Sequence, residues 1–245
     1  MYDEPRTSGV SRLAMTLGVV SLLALIAAGP VHRLGLLGLA RTFSLLKWSA
    51  YGVLATLALS IIGMIVAARR WASMRTPATA MVLSLVAIGS VAAFAWKAAR
   101  LPAIHDITTD TTQPPPLLAI LPLRDGALNP ADYGGPEVAA KQQQAYPDIV
   151  PLLLSVPPGR AFERALAAAK AKGWDIVASD PAGGRIEATD TTFWFGFKDD
   201  VVVRVTPLPT GSRVDARSLS RVGIGDVGTN AARVRAFLAA VKAGS

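Results

Sequence analysis

The sequence predicts an α+β protein in which a three-helix transmembrane anchor is followed by a helix-grip-like domain with the order β-α-β-β-β-β-α, an antiparallel sheet with two helices. Three observations carry this. Residues 1–100 hold three apolar runs of near membrane-spanning length. The surplus of positive charge is confined to that half, which has 10 Lys/Arg against 2 Asp/Glu, while residues 101–245 balance 15 against 15. Beyond residue 148 the apolar pattern shifts to short alternating runs separated by turn residues. The predicted divisions are 1–100 for the membrane domain, 101–147 for a proline-rich strap, and 148–245 for the extramembrane domain.

The composition fits. Half the residues are hydrophobic (51%) and the mean hydropathy is +0.40, outside the usual range of a water-soluble chain. The net charge of +8 suggests nucleic acid until it is located. Cations flanking apolar runs set topology and attract anionic headgroups. A neutral second half removes the physical basis for DNA or RNA binding. The chain has no cysteine, so disulfides, thiolate metal sites, a cysteine nucleophile and a lipid-modified cysteine anchor are excluded.

The predicted helices cover about 13–29, 48–68 and 78–96. Arg6, Arg12, Arg33, Lys47, Arg69, Arg70, Arg75, Lys97 and Arg100 bracket them, with Trp48, Tyr51, Trp71 and Trp96 at interfacial positions. The first run stops at Pro30, and 34–46, interrupted by Arg41, reads as a loop or interfacial helix. A cleaved secretory signal is the alternative for the first run. Its length and the two runs close behind favour an uncleaved helix. With Arg41 counted, the cations divide five (Arg6, Arg12, Arg69, Arg70, Arg75) and five (Arg33, Arg41, Lys47, Lys97, Arg100) between the two sides, so the positive-inside rule ties. The orientation carried forward has the N-terminus cytoplasmic and the domain periplasmic at a bacterial inner membrane. No Asp, Glu, His, Lys or Arg lies within the three cores, which argues against a pump or channel. Small residues at Thr56/Ser60, Ala80/Ser84 and Gly89/Ala93 suit close helix packing.

Of the 17 prolines, 11 fall between Pro102 and Pro158, in the strap and just after it. Proline denies a backbone donor, so no long helix or central strand is expected there, and the strap reads as about forty residues without regular structure. The apolar stretch 117–123 should be buried. His105, Asp106 and Asp110 are the chemical candidates of the strap, as a base or metal site. The competing reading is local hydrogen bonding by Asp and Thr in a turn-rich segment.

In the domain, 150–156 predicts a strand. Pro157 and Pro158 open a helix that Gly173 closes, with Phe162, Ala165, Leu166 and Ala169 on one face. Strands follow at 174–179, 185–197, 201–206 and 212–219. Within 185–197 the apolar parity flips between Ala188 and Phe193, predicting a bulge or bend at 190–192. Phe193, Phe195 and Phe197 are expected in the core, the alternative being a second apolar surface such as the strap or bilayer. Arg213, Asp215 and Arg217 share a face that Arg185, Glu187 and Arg204 join. It reads as cross-strand ion pairs on a solvated face, or as an anion-binding surface. The last helix places Val234, Phe237, Leu238 and Val241 on one side, with Asp226 or Thr229 as its cap.

Residues 223–228 form a literal G-x-G-x-x-G. No second parallel strand with its acidic residue follows, and Asp226 sets negative charge where a pyrophosphate would lie. Nucleotide binding is therefore rejected, and no cofactor is expected. P-loop, nucleophile-elbow and zinc-protease signatures are absent from the sequence.

Three stretches, IHDITTD at 104–110, RIEATDTTFWFGFKDDVVVRV at 185–205 and SRVGIGDVGTNAARVRAFL at 220–238, resemble the uncharacterised bacterial family DUF1499. The likeness covers roughly 101–241, and the three-helix leader resembles the family's membrane-anchored members. The resemblance implies no activity. It implies that a shared site would lie among His105, Asp106, Asp110, Asp190, Trp194, Arg204, Arg221, Asp226 and Asn230. The element order is also similar to that of helix-grip domains of lipoproteins in the outer-membrane barrel-assembly machine, where the role is binding. The leading functional expectation is a non-enzymatic module docking an envelope protein, with membrane lipids as the other partner. The candidate contact residues are His105, Asp106, Asp110, Phe193, Trp194, Arg204, Arg217, Arg221, Asp226 and Asn230. Alternatives are an apolar-ligand binder using the hollow between sheet and helix, and a hydrolase or metal enzyme on His105, Asp106 and Asp110.

Overall fold

The computed structural model describes residues 7–244. Arg6, counted above among the flanking cations, lies outside them. The chain divides into two compact units, one of residues 1–98 with 194–196 and the other of residues 99–193 with 197–245.

The first unit is three long apolar helices, α1 (Gly9–Arg33), α2 (Leu39–Arg70) and α3 (Arg75–Ala99), each long and apolar enough to cross a membrane. Pro30 does not end α1, which runs one turn further. A proline so near the C-terminus forfeits little of the helical hydrogen bonding. Likewise 34–46 is not a separate element. A turn with Gly35 at φ 72° reverses the chain, and α2 begins at Leu39. At 1.5 Å per residue, the 32 residues of α2 span about 48 Å. That exceeds the roughly 30 Å hydrocarbon core of a bilayer.

The helices meet through small side chains. Ser11, Ala14, Gly18, Thr56, Ser60, Gly63, Ala80 and Ser84 are buried while the larger apolar residues face outward, as lipid-solvated helices require. At Gly63 an added Cβ would lie 3.0 Å from Ser11 Oγ and 3.2 Å from Pro77 Cβ, so glycine permits the three helices to converge. The buried hydroxyls of Thr56, Ser60 and Ser84 donate to the carbonyls four residues back, at 2.7–2.8 Å, leaving no unpaired donor. Gly89 and Ala93, expected in a seam, are exposed; the α3 seam runs through Pro77, Ala80, Ser84 and Ala87.

The second unit is an antiparallel sheet. Its strands are β1 (Asp106–Thr108), β2 (Leu152–Leu154), β3 (Asp175–Asp180), β4 (Arg185–Thr191), β5 (Lys198–Leu208) and β6 (Gly211–Ser220). The order is β1-β6-β5-β4-β3, with β2 also on β6. β1 and β2 thus share the outer edge of β6, opposite 217–219 and 212–214 respectively. Helices α5 (Pro158–Ala171) and α6 (Thr229–Ala243) cover one face. Ile186, Val201, Val203, Val214 and Ala216 point from the sheet into that core. They meet Phe162 and Ala165 of α5 and Val234, Phe237 and Val241 of α6, while Leu238 packs at the core's margin. Trp174 stacks on Phe237 with centroids 5.2 Å apart. The expected strand and helix order is observed.

Two expectations for this unit need correction. The strap contains regular structure: β1, a 3₁₀ turn Leu121–Arg124 and α4 (Gly135–Ala145). The prolines bracket these elements, Pro136 taking the permitted first turn of α4 and Pro147 following its end. The aromatic run 193–197 is neither strand nor core. β4 stops at Thr191 and pairs with Lys198 of β5, so the parity flip marks a strand end. Phe193 is 84% exposed.

Candidate functional site

The chemistry-bearing side chains gather on the sheet face away from α5 and α6. Period-two alternation puts Arg213, Asp215, Arg217 and Leu219 of β6 on this face, beside Asp200, Val202 and Arg204 of β5 and Glu187 and Thr189 of β4. The face is not solvated. The strap lies across it, Leu117 and Ile120 packing on Val202 and Leu219, although Leu118, Leu121 and Leu123 of the same stretch remain exposed.

The strap is tied down by five carboxylates. At the centre, Arg217 donates from Nε to Asp106 Oδ1 at 2.9 Å and from Nη2 to Asp106 Oδ2 at 2.7 Å. This is a two-pronged pair with both side chains 5% exposed or less. Arg217 also donates to the carbonyls of Pro115 at 3.2 Å and Ala131 at 2.8 Å, and its guanidinium lies 5.7 Å from the Tyr133 ring centre. Burial pushes the Asp106 carboxyl above its ordinary value, and the Arg217 pairing only partly offsets this. Burial, then the Asp106 charge, push the Tyr133 phenol up to about 12.

Around that pair stand three others. Asp215 accepts from Arg204 Nη2 at 3.0 Å, Arg213 Nη2 at 2.9 Å and Thr109 Oγ1 at 3.1 Å. Asp110 bridges the same two arginines, at 3.0 and 2.7 Å. It also accepts from the amides of Gln113 at 2.8 Å and Thr112 at 3.1 Å. Partial burial opposes ionisation of Asp110, but these amides and arginines outweigh it and hold its carboxyl below the ordinary value. Asp200, fully buried, accepts from Arg124, from Arg221 at 2.8 Å and from Thr189 Oγ1 at 2.9 Å.

Glu187 holds the strap by its backbone. The amides of Leu118, Ala119 and Ile120 donate to it at 3.0–3.1 Å, and Arg185 Nε at 2.6 Å. Burial works against its charge, yet Arg185 and the three amides prevail and keep its carboxyl below the usual range. Gln142 of α4 completes the clasp from the edge. Its side chain accepts from Thr108 N at 2.9 Å and donates to Thr108 O at 2.6 Å, replacing the strand that the edge of β1 lacks.

A second polar cluster lies at the start of α6. Asp226 accepts from the amides of Gly228, at 3.0 Å, and Asn230, so its carboxylate fills the anion position of the helix N-terminus. Burial raises the Asp226 carboxyl despite those amides. Asn230 donates to His105 O and Ser220 Oγ at 2.9 Å. Arg233 bridges Asp190 at 2.6 Å and Asp199 at 2.7 Å.

The structure therefore sorts the candidate residues into three places. Asp106, Asp110, Arg204, Arg217 and Arg221 belong to the clasp. Asp226 and Asn230 order the start of α6, where His105 Nδ1 lies 3.3 Å from Ile224 O. Phe193 and Trp194 sit in the β4–β5 loop. His105, Asp106 and Asp110 do not converge, and among the described residues no group of three or more His, Cys, Asp or Glu side chains is placed to hold a metal. Phe162, Trp174 and Phe237 are buried in the core between sheet and helices. Sequence reasoning missed Arg124, Gln142, Tyr133 and Asp200. Their partners lie far away in the chain or carry no local pattern.

One recess is built by the strap itself. A cleft of about 490 Å³ opens between Thr111, Thr112 and Pro114 on one side and Tyr133, Ala140 and Gln143 on the other. No charged side chain lines it. Two of the lining residues are joined, Gln143 Nε2 donating to Thr111 Oγ1 at 2.9 Å.

No curated protein matches the chain. A family profile, described as protein of unknown function (DUF1499), matches residues 106–241, more than half of the 245 residues. It begins at the first residue of β1 and ends within α6, so it takes in the strap as well as the sheet. The chain is a member of the DUF1499 family.

Proposed function

We propose that this protein is a membrane-anchored, non-enzymatic binding module that docks a protein of the bacterial cell envelope, with the domain on the periplasmic side of the inner membrane. One observation carries the reading: Asp106, Asp110, Arg204, Arg217 and Arg221, which looked like reactive groups, are hydrogen-bonded to one another, to neighbouring carboxylates of the sheet and to the strap. A general base or nucleophile needs a free lone pair within reach of substrate. The likeness to helix-grip binding domains supports the same role. The neutral cleft beside α4 is the proposed docking recess. It suits an uncharged segment of a partner and offers nothing to a phosphate.

The test uses a photoreactive amino acid at Ala140, in the cleft, and at Lys172, beyond the end of α5, in native membranes. The reading expects one discrete adduct from position 140, competed away by excess unmodified full-length protein, and none from 172. Equal or absent labelling at both sites overturns it. The cysteine-free chain also makes Lys172→Cys a clean topology probe. Reaction with a membrane-impermeant maleimide in intact spheroplasts is expected, and protection there overturns the periplasmic placement.

A further inference from the structure

We propose that the end of the sheet where the chain enters from α3 is a membrane-contacting face, with Phe193 and Ile224 set into the interfacial zone of an anionic bilayer. The sheet register assembles this face. Thr191 pairs with Lys198, Asp199 with Ser220, and Asp106 with Leu219. The β4–β5 loop, the β6–α6 loop and the entry segment 100–105 therefore share one end. Phe193 is 84% and Ile224 82% exposed, the most exposed large apolar side chains of the sheet domain among the described residues.

These loops are held in shape. Thr192 N donates to Phe197 O at 2.8 Å, and Phe197 N to Thr192 Oγ1 at 2.9 Å. Asn129 donates to Gly223 O at 2.9 Å, and Asp226 N to Ile104 O at 3.2 Å. The glycines of the declined G-x-G-x-x-G fit here. Gly223 (φ 97°) and Gly228 (φ 81°) adopt the left-handed conformation that folds this loop. The product is a fixed backbone that holds Ile224 outward. Exposed apolar side chains on fixed loops mark contact surfaces.

Chain connectivity selects the bilayer as occupant. α3 ends at Ala99 and β1 starts at Asp106, a tether of at most about 25 Å when fully extended. α3 is itself apolar and long enough to span. Lys97 and Arg100 flank the tether, and exposed Lys198 stands at the stem of the aromatic loop, the combination that anionic headgroups attract. The opposite end of the sheet, with turns at 181–184 and 209–210, carries no aromatic side chain. This contact is independent of the docking proposed above.

The chain's lack of cysteine makes the test direct. Phe193→Cys, Ile224→Cys and, at the far end of β6's edge, Leu153→Cys are each spin-labelled in the full-length protein. The proteins are placed in nanodiscs of phosphatidylcholine and phosphatidylglycerol. Collision rates with oxygen, which partitions into lipid, and with a water-soluble nickel chelate are compared. Labels at 193 and 224 should show an oxygen-to-nickel ratio several-fold above that at 153. Ratios equal to that at 153 overturn the proposal, as does shielding from both reagents, which would mean protein contact instead. The two loops are separate, so disruption of one by its label leaves the other to decide.

Discussion

Replacing Arg217 by Met should release the strap from the sheet. Arg217 and Asp106 are almost wholly buried, and removing one partner of such a pair leaves an uncompensated charge, at about 3–5 kcal/mol. The Asp106 carboxyl, already raised by burial, then rises further because the arginine that opposed the shift is gone. The carbonyls of Pro115 and Ala131, which accept from Arg217, lose their donor as well. These carbonyls flank the segment whose amides at Leu118, Ala119 and Ile120 are held by Glu187. Hydrogen exchange at those amides, read by mass spectrometry on the full chain in detergent, reports opening of the strap. At 1.36 kcal/mol per factor of ten, a loss of about 3 kcal/mol accelerates exchange roughly 150-fold. Exchange in the core of β5 should change less if the strap opens on its own. An increase of under about tenfold at 118–120, in a protein that keeps its sheet, refutes the clasp.

Other substitutions probe its remaining parts. Glu187→Gln removes the charged acceptor of three amides and should cost at least about 2 kcal/mol, seen as faster exchange at the same residues. Gln142→Ala leaves both backbone groups of Thr108 without partners and should cost about 1–3 kcal/mol in chemical denaturation. Asp110 and Glu187 both have folded-state carboxyls below their ordinary values of 3.8 and 4.5. Their contribution is present above those values and is lost as pH falls through the depressed ones. The strap should therefore loosen on acidification below about pH 4, and the double variant Asp110→Asn, Glu187→Gln should show a shallower acid limb in a pH series of exchange rates. Asp226→Ala removes the carboxylate that accepts from the Gly228 and Asn230 amides at the start of α6 and should cost about 0.5–2 kcal/mol in thermal denaturation.

Much of this architecture was legible because it is local. The apolar runs gave the three helices, and the alternation of Arg213, Asp215 and Arg217 with Val214, Ala216 and Ser218 gave both β6 and its polar face. What that face meets was not legible. An alternating strand reads the same whether its polar side faces water or a buried counter-layer. The partners that decide the matter, such as Arg124 for Asp200 and Asp106 for Arg217, lie 76 and 111 residues away. Proline density correctly argued against a long helix in the strap but hid α4 and β1, because prolines bracket short elements as readily as they prevent long ones. The aromatic run 193–197 misled for a related reason. Its parity was read as a bent strand, whereas β4 simply ends and the loop turns outward.

The account rests on the charged constellation being a clasp and not a reactive centre. The most direct test replaces both members of the central pair with apolar residues, Asp106→Leu with Arg217→Met, and repeats the photocrosslinking from Ala140 in native membranes. Well-packed apolar replacements of a buried pair are often neutral or stabilising. The account predicts that the strap amides are better protected than in Arg217→Met alone, because no buried charge is left unpaired, and that the adduct persists. A protected strap with the adduct abolished would contradict it, because the pair would then be acting on the partner.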